Sequence, residues 1–357
     1  MADQIQSLQK QVLKARADGQ TLNIVGGGTK SFMGRTPDND AATLSLAEHT
    51  GVVEYHPVEL ILTVRAGTTL SEIEAVLAEE GQCLHFEPPR LGGSGEGATI
   101  GGTLAANLSG PARPWSGSVC DQVLGLRLLN GQGEHLRFGG QVMKNVAGYD
   151  VSRLQAGAMG TLGVMTEISL KVMPKPATTA TLVQDMPLDS AIDYMNRRAG
   201  EPKPLTGACW LDGKVYLRLA GARSAVEATA EQWEGEVFEG GDALWQQLQD
   251  LQHDYFAGDD PLWRFSVKSS AIMPSLDGPW LVDWAGAQRW YRGQATLSDL
   301  EPLAAEAGGQ VSLFRGGDRT GEVMHSQPEA LKTIQRRIKQ SFDPDGLFNP
   351  GRLYSWL

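Results

Sequence analysis

The stretch Asn23-Ile-Val-Gly-Gly-Gly-Thr-Lys-Ser-Phe-Met-Gly-Arg35 sets three consecutive glycines after a short apolar run. Such a run loses backbone entropy on folding and buries nothing, so it needs a compensating reason. A P-loop would place Gly directly before Lys, and here Thr29 stands before Lys30. A dinucleotide fingerprint asks for G-x-G-x-x-G; Gly26 and Gly28 fit, but the third position is Ser31. What remains is a nest, in which successive N–H groups of Val25, Gly26, Gly27 and Gly28 point into one concavity suited to an anion. Thr29 adds a hydroxyl. A ligand-free glycine turn would leave the same trace.

Working outward, the chain of 357 residues is long for one core, and two domains are expected. A formal charge of −11 argues against a nucleic-acid or anionic-membrane partner. No apolar run reaches the ~18 residues of a membrane span. The N-terminus has no signal-peptide core; Ile5, Leu8 and Val12 mark an amphipathic helix instead, so the cytoplasm is the expected compartment. Cys83, Cys120 and Cys209 lie far apart and cannot build a four-thiolate iron–sulfur site. The six histidines lack metal-ligand spacing, and no metal is expected. Glycine clusters between Gly26 and Gly163, the half where backbone would meet a ligand.

That half reads as mixed α and β. Thr21–Val25 and Glu59–Ala66 are strands, and the capping box Thr69-x-x-Glu72 opens a helix with Leu70, Ile73 and Leu77 on one face, closed by Gly81. Asn130-Gly131 marks a hairpin between Val123–Leu129 and His135–Phe138. Val164–Val172 alternates, with Val164, Ile168, Leu170 and Val172 on one face, and ends at a linker around Pro174 and Pro176. Beyond it glycine thins and tryptophan becomes frequent. Asp212-Gly213 marks a second hairpin. Helices are predicted over 224–233, 242–256 and from Leu300 (capped by Ser298), with strands over 263–268, 280–284 and 310–315. A last helix, capped by Ser326-x-x-Glu329, carries Leu331, Ile334 and Ile338 on one face. The fold class is α+β, the second half an antiparallel sheet with helices on one face.

Three further segments add to the glycine run. Gly97–Gly110 contains Thr99, Ile100, Gly101, Gly102 and Thr103, a stripe of small residues including Ala105, and the amide of Asn107. Close helix packing would use the same small residues. Lys144–Asp150 contains Gly148, Tyr149 and Asp150, and Leu154–Val164 contains Gly160, Leu162, Gly163 and Val164. Phe342–Arg352 fixes Asn349 between Phe348 and Pro350.

In this order and spacing the segments resemble the FAD-binding domain of the vanillyl-alcohol oxidase and p-cresol methylhydroxylase (PCMH) type. The resemblance implies that the first glycine run cradles the FAD diphosphate and that the Thr99–Gly110 segment lies along flavin and diphosphate. It places Gly160–Val164 on the adenosine side and returns Asn349 to the isoalloxazine; Pro89 and Gly110 join the same cofactor set. "MKNVAGYDVSRL", "LRLLNGQGEHLRFGGQ" and "FNPGRLYSW" narrow it to the E-subunit group of bacterial glycolate oxidases, also called glycolate dehydrogenases. That implies a two-domain flavoprotein: residues 1–175 binding FAD, a cap over 176–325, and a C-terminal segment 326–357 returning to the first domain. It further implies oxidation of glycolate to glyoxylate, with a related FAD-binding subunit and an iron–sulfur subunit as partners carrying electrons toward quinone. The complex would bring the chain to the inner face of the cytoplasmic membrane without inserting it.

Two departures shape these expectations. Covalent members place His at the first loop; Thr29 and Lys30 stand here, so non-covalent FAD is expected. Related 2-hydroxy-acid dehydrogenases carry H-x-G-D-G-N-x-H, whereas "LFRGGDRTGEVMHS" keeps only Gly316, Gly317 and Asp318 in outline, with Arg315 near the first His and His325 late. That segment cannot give two histidine ligands. Either the sister subunit oxidises the hydroxy acid, or an arginine in the cap binds its carboxylate, with Arg315 and Arg319 as candidates. Tyr149 and Asp150 read as structural or FAD-adjacent, and no catalytic residue is assigned. A stand-alone 2-hydroxy-acid dehydrogenase and a scaffold with a decayed flavin site are the alternatives.

Overall fold

The computed structural model describes residues 3–37, 40–92, 97–140 and 150–357. In the first half, helix α1 (Ile5–Asp18) precedes strands β1 (Leu22–Val25), β2 (Ala42–Ser45), β3 (Val52–His56) and β4 (Ile61–Arg65). Helix α2 (Leu70–Glu79), β5 (Gln82–Cys83), helix α3 (Ile100–Ala106), β6 (Val123–Leu129), β7 (His135–Gly139), β8 (Val164–Lys171) and β9 (Met173–Pro174) follow. Strands β3-β4-β8-β6-β7 form an antiparallel sheet, while β1 and β2 pair in parallel beside it. The Thr69 capping box is formed, which fixes the start of α2 and turns Leu70, Ile73 and Leu77 onto β4 and β8.

β8 departs from the one-sided pattern. Met165 and Thr166 are buried along with Val164 and Ile168, because β8 is the middle strand. His49 and His135 both bond Thr166, one at its carbonyl (3.1 Å) and one at its hydroxyl (2.9 Å), which gives these two histidines structural work. The β6–β7 connection also differs. It is a five-residue loop, 130–134, not a two-residue turn. Asn130 Oδ1 accepts from Gln132 N and Glu134 N, and the left-handed residue is Gly133.

The second half contributes β10 (Thr178–Asp185), β11 (Leu205–Leu211), β12 (Lys214–Gly221), β13 (Glu236–Val237), β14 (Leu262–Ser266), β15 (Trp280–Asp283), β16 (Gln288–Arg292) and β17 (Gln310–Arg315). They form one antiparallel sheet in the order β13-β10-β12-β11-β15-β16-β14-β17. Asp212 and Gly213 join β11 to β12 with φ of 49° and 80°, the two left-handed residues a tight hairpin needs. Its inner face meets the first half through a shared apolar cluster that includes Met33, Leu91 and Leu108 on one side and Trp245, Trp290 and Phe314 on the other.

Three helices differ from expectation. The one predicted over 242–256 stops at Gln249, since Leu251 is left-handed and His253 Nδ1 starts a separate turn by accepting from Tyr255 N. The helix predicted from Leu300 begins at Leu297, capped by Thr296 with Asp299 rather than by Ser298. The C-terminal helix, Glu329–Phe342, has no side-chain cap because Pro328 stands at its N-cap; Ser326 lies two residues earlier, its N–H donating to Glu301. Its Leu331 and Ile334 are exposed, and the residue it buries is Lys339.

Candidate functional site

β1 is held from both sides. It pairs with β2, and the C-terminal segment lies along its other edge: Leu22 N donates to Leu347 O (2.7 Å) and Asn349 N to Leu22 O (2.9 Å). Asn349 then closes the arrangement, its Oδ1 accepting from Ile24 N at 2.8 Å and its Nδ2 donating to Met159 O at 2.6 Å. Three segments far apart in sequence are thereby tied at the mouth of the glycine run. Asn349→Ala would leave the Ile24 amide and the Met159 carbonyl unpaired. A loss of about 2–4 kcal/mol in chemical denaturation is expected.

The glycines after β1 serve two purposes. A Cβ on Gly27 would sit 1.4 Å from Gly97 O, so this residue lets two chain segments touch. Gly28 has φ +72°, and a Cβ placed there would meet nothing within 4 Å, so it faces open space. The groove it borders is open on one side and encloses about 730 Å³ when its solvent-filled mouth is included.

Of the residues singled out from sequence, Val25, Gly26, Gly27, Gly28, Thr29, Lys30, Thr99, Gly102, Ala105 and Asn349 line this groove. The others do not. Ile100, Leu162 and Val164 are core, and Thr103 is buried with its hydroxyl on Thr99 O. Gly101 packs against Ala66, and the amides of Ile100 and Gly101 are taken by the Thr68 and Ala66 carbonyls, so the start of α3 leaves few free donors. Gly160 lies against the Asn349 side chain and Gly163 against the Leu129 carbonyl. Asn107 ends α3 in a left-handed conformation, its Oδ1 buried without a hydrogen bond among the described residues. Pro89 and Gly110 line a separate cavity between the two halves. Asp150 accepts from Arg153 N at the start of a short helix; Gly148 and Tyr149 lie outside the described residues.

The two candidate substrate arginines stand away from the groove. Arg319 gives its guanidinium to Gly34 O (2.8 Å) and Leu313 O (3.1 Å), and Arg315 lies over the Phe32 ring. Both hold chain segments together. His325 faces Val311 N and Glu301, not the groove.

Sequence reasoning missed Asn23, Ile24, Ser31, Met33, Pro37, Ala106, Met159 and Arg352, which complete the lining. Arg352 had a signal in the turn that made Asn349 a candidate. It donates to Arg35 O and Ser31 O and so pins the loop after the glycines to the C-terminal segment.

Lys30 is the electrostatic feature of the groove. Burial pushes its pKa down to about 8, its ammonium reaches Thr29 Oγ1 at 3.4 Å, and no carboxylate of the described residues pairs with it. A desolvated cation beside main-chain amides that are unpaired among the described residues is short of an anion.

Residues 1–139 match the family model of an FAD binding domain. Over 355 residues, 99% of both chains, the protein is 44% identical to glycolate oxidase subunit GlcE of Escherichia coli K12. The chain belongs to the GlcE family. Its cofactor is FAD. As a member of that family it also shares 36% identity with glycolate oxidase subunit GlcD of Bacillus subtilis, over 159 residues covering 44% of this chain and 33% of that one. A solved alkyldihydroxyacetonephosphate synthase superposes on 97% of this GlcE-family chain and 75% of its own, with TM-score 0.65 at 15% identity, which shows the shared fold. The groove suits the cofactor on three counts: an open glycine cradle, a half-buried lysine with no carboxylate partner among the described residues, and a wall of Ala105, Ala106 and Met159 that can lie against a flat ring. No helix among the described residues is long and apolar enough to cross a membrane.

Proposed function

We propose that this chain is an FAD-holding subunit of a glycolate oxidase, organised as an FAD domain (1–175 with 326–357) and a cap (176–325). It works with a related flavoprotein subunit and an iron–sulfur subunit, and the assembly oxidises glycolate to glyoxylate and passes electrons to quinone. Lys30 carries the reading: a half-buried, desolvated cation in a glycine cradle calls for a diphosphate. The amides of Gly26–Thr29 and the Lys30 ammonium would hold that group, non-covalently. Ala105, Ala106 and Met159 would exclude water from the ring, and Asn349 would keep the floor in register. FAD bound there supplies the two-electron oxidation chemistry.

The lysine makes the reading testable by pH. A diphosphate beside Lys30 favours its charged form, so binding takes up a proton once the pH exceeds about 8. FAD affinity should therefore fall as pH rises above about 8, by at most about tenfold per unit, and Lys30→Met should flatten the profile. Without FAD the sign reverses. The unfolded lysine keeps its proton to the ordinary value of 10.5, so stability of the flavin-free chain should rise from about pH 8 toward that value.

Reconstitution tests the assignment as a whole. Glycolate-dependent reduction of a quinone analogue is expected only when this chain, the related flavoprotein and the iron–sulfur subunit are combined. Equal activity with this chain omitted would contradict the proposal.

A further inference from the structure

The C-terminal helix, Glu329–Phe342, is fastened along one side. Lys339 on that side donates to Thr161 O at 2.7 Å and to Phe348 O at 2.9 Å. Those two segments carry Met159 and Asn349, which are bonded to each other at the wall of the FAD groove. The buried side of the helix therefore backs the groove.

The other side has no cover among the described residues. Leu331, Ile334 and Ile338 recur at i, i+3 and i+7, the spacing of a core-facing stripe, yet none of them joins an apolar cluster. Leu331 is 45% exposed and Ile334 51%, and Ile338 is half-buried. The charge on this helix also runs against that of the chain. It holds Lys332, Arg336, Arg337 and Lys339 against one acid, Glu329, in a protein of net charge −11. Glu329 is already shared by Lys332 (3.5 Å) and Arg336 (3.0 Å), whereas Arg337 is exposed and pairs with no described residue.

We infer that this face docks the iron–sulfur subunit, which offers Leu331, Ile334 and Ile338 an apolar groove rimmed by carboxylates, with Arg337 on the rim. Anchors at i, i+3 and i+7 are how an amphipathic helix seats in such a groove. An unpaired guanidinium beside them calls for an acidic edge. Position selects the subunit. The one that takes electrons has to stand close to the flavin, and a body on this face is separated from the groove wall chiefly by the helix, about 10 Å across. Two copies of the chain packed on this face would set one basic helix against another. An anionic bilayer suits a broader apolar face with aromatic residues, and the chain's overall charge opposes it. The inference rests on the proposed function for the identity of the partner.

Calorimetric titration of the FAD-loaded chain with the purified iron–sulfur subunit tests it. Wild type should bind, and Leu331→Glu/Ile334→Glu should weaken binding about 100-fold. Flavin content and melting temperature should stay as in wild type, since both side chains are exposed. Arg337→Gln should weaken binding less and reduce its dependence on salt. Affinity unaltered in the double variant would overturn the inference. So would a double variant that keeps the iron–sulfur subunit but loses the related flavoprotein, a second copy in sedimentation, or vesicles of phosphatidylglycerol and phosphatidylcholine in flotation. If wild type does not bind the iron–sulfur subunit while quinone reduction by the three-subunit mixture still needs this chain, the inference fails and the proposed function stands. Equal reduction without this chain counts against the proposed function instead.

Discussion

Gly27→Val is expected to yield a folded chain that retains no FAD after gel filtration, with the visible flavin absorption lost. A Cβ at this position would lie 1.4 Å from the Gly97 carbonyl oxygen, which belongs to backbone, so no rotamer relieves the clash. The two segments must part, and they are the segments that bring the glycine run against Thr99 and the groove. Gly28→Ala is the control. Its Cβ meets nothing within 4 Å, so the cost is the left-handed backbone alone, about 1–2 kcal/mol. That variant should bind FAD more weakly without losing it. Equal retention by Gly27→Val and wild type would show that these segments do not form the cradle.

Asp343→Ala should be strongly destabilising, by about 3–5 kcal/mol. Asp343 is 1% exposed and takes three donors: Lys339 Nζ at 2.6 Å, Leu347 N at 3.0 Å and Phe348 N at 2.8 Å. Lys339 in turn donates to Thr161 O and Phe348 O, so its ammonium joins the C-terminal helix, the Thr161 loop and the returning segment. Removing the carboxylate strands that ammonium against carbonyls only, a loss of about 3–5 kcal/mol. Leu347, Phe348 and Asn349 lie on the edge of β1, so weaker FAD retention should accompany the loss. The double variant Lys339→Met/Asp343→Ala should be less damaged than the sum of the single changes, since it leaves no unpaired charge. An additive result would remove the pair from the account.

These two variants also show what the sequence could and could not reveal. The glycine run, the Thr69 box and Asp212-Gly213 were legible because each expresses a local backbone requirement in adjacent residues. Lys339 was not. Its helix carries a clear apolar periodicity through Leu331 and Ile334, yet it buries a lysine, because distant carbonyls at Thr161 and Phe348 converge on that side. Asn130-Gly131 misled for a related reason: Gly131 packs against Asp343 and Asn130 bonds within its own loop, so the pair serves tertiary contact instead of a tight turn. Arg315 and Arg319 stood out in sequence because they lie near the glycine–aspartate remnant, but carbonyls and a ring already hold them.

The central claim is that main-chain amides around Gly26–Thr29, with Lys30, hold the diphosphate of one flavin. The most direct measurement is flavin content of the purified chain alone, after incubation with FAD and removal of the excess. An equimolar, yellow complex is expected, with FAD fully released on denaturation and flavin content that collapses in Gly27→Val. A chain that stays colourless at saturating FAD, or one that keeps its flavin attached after denaturation, would contradict it.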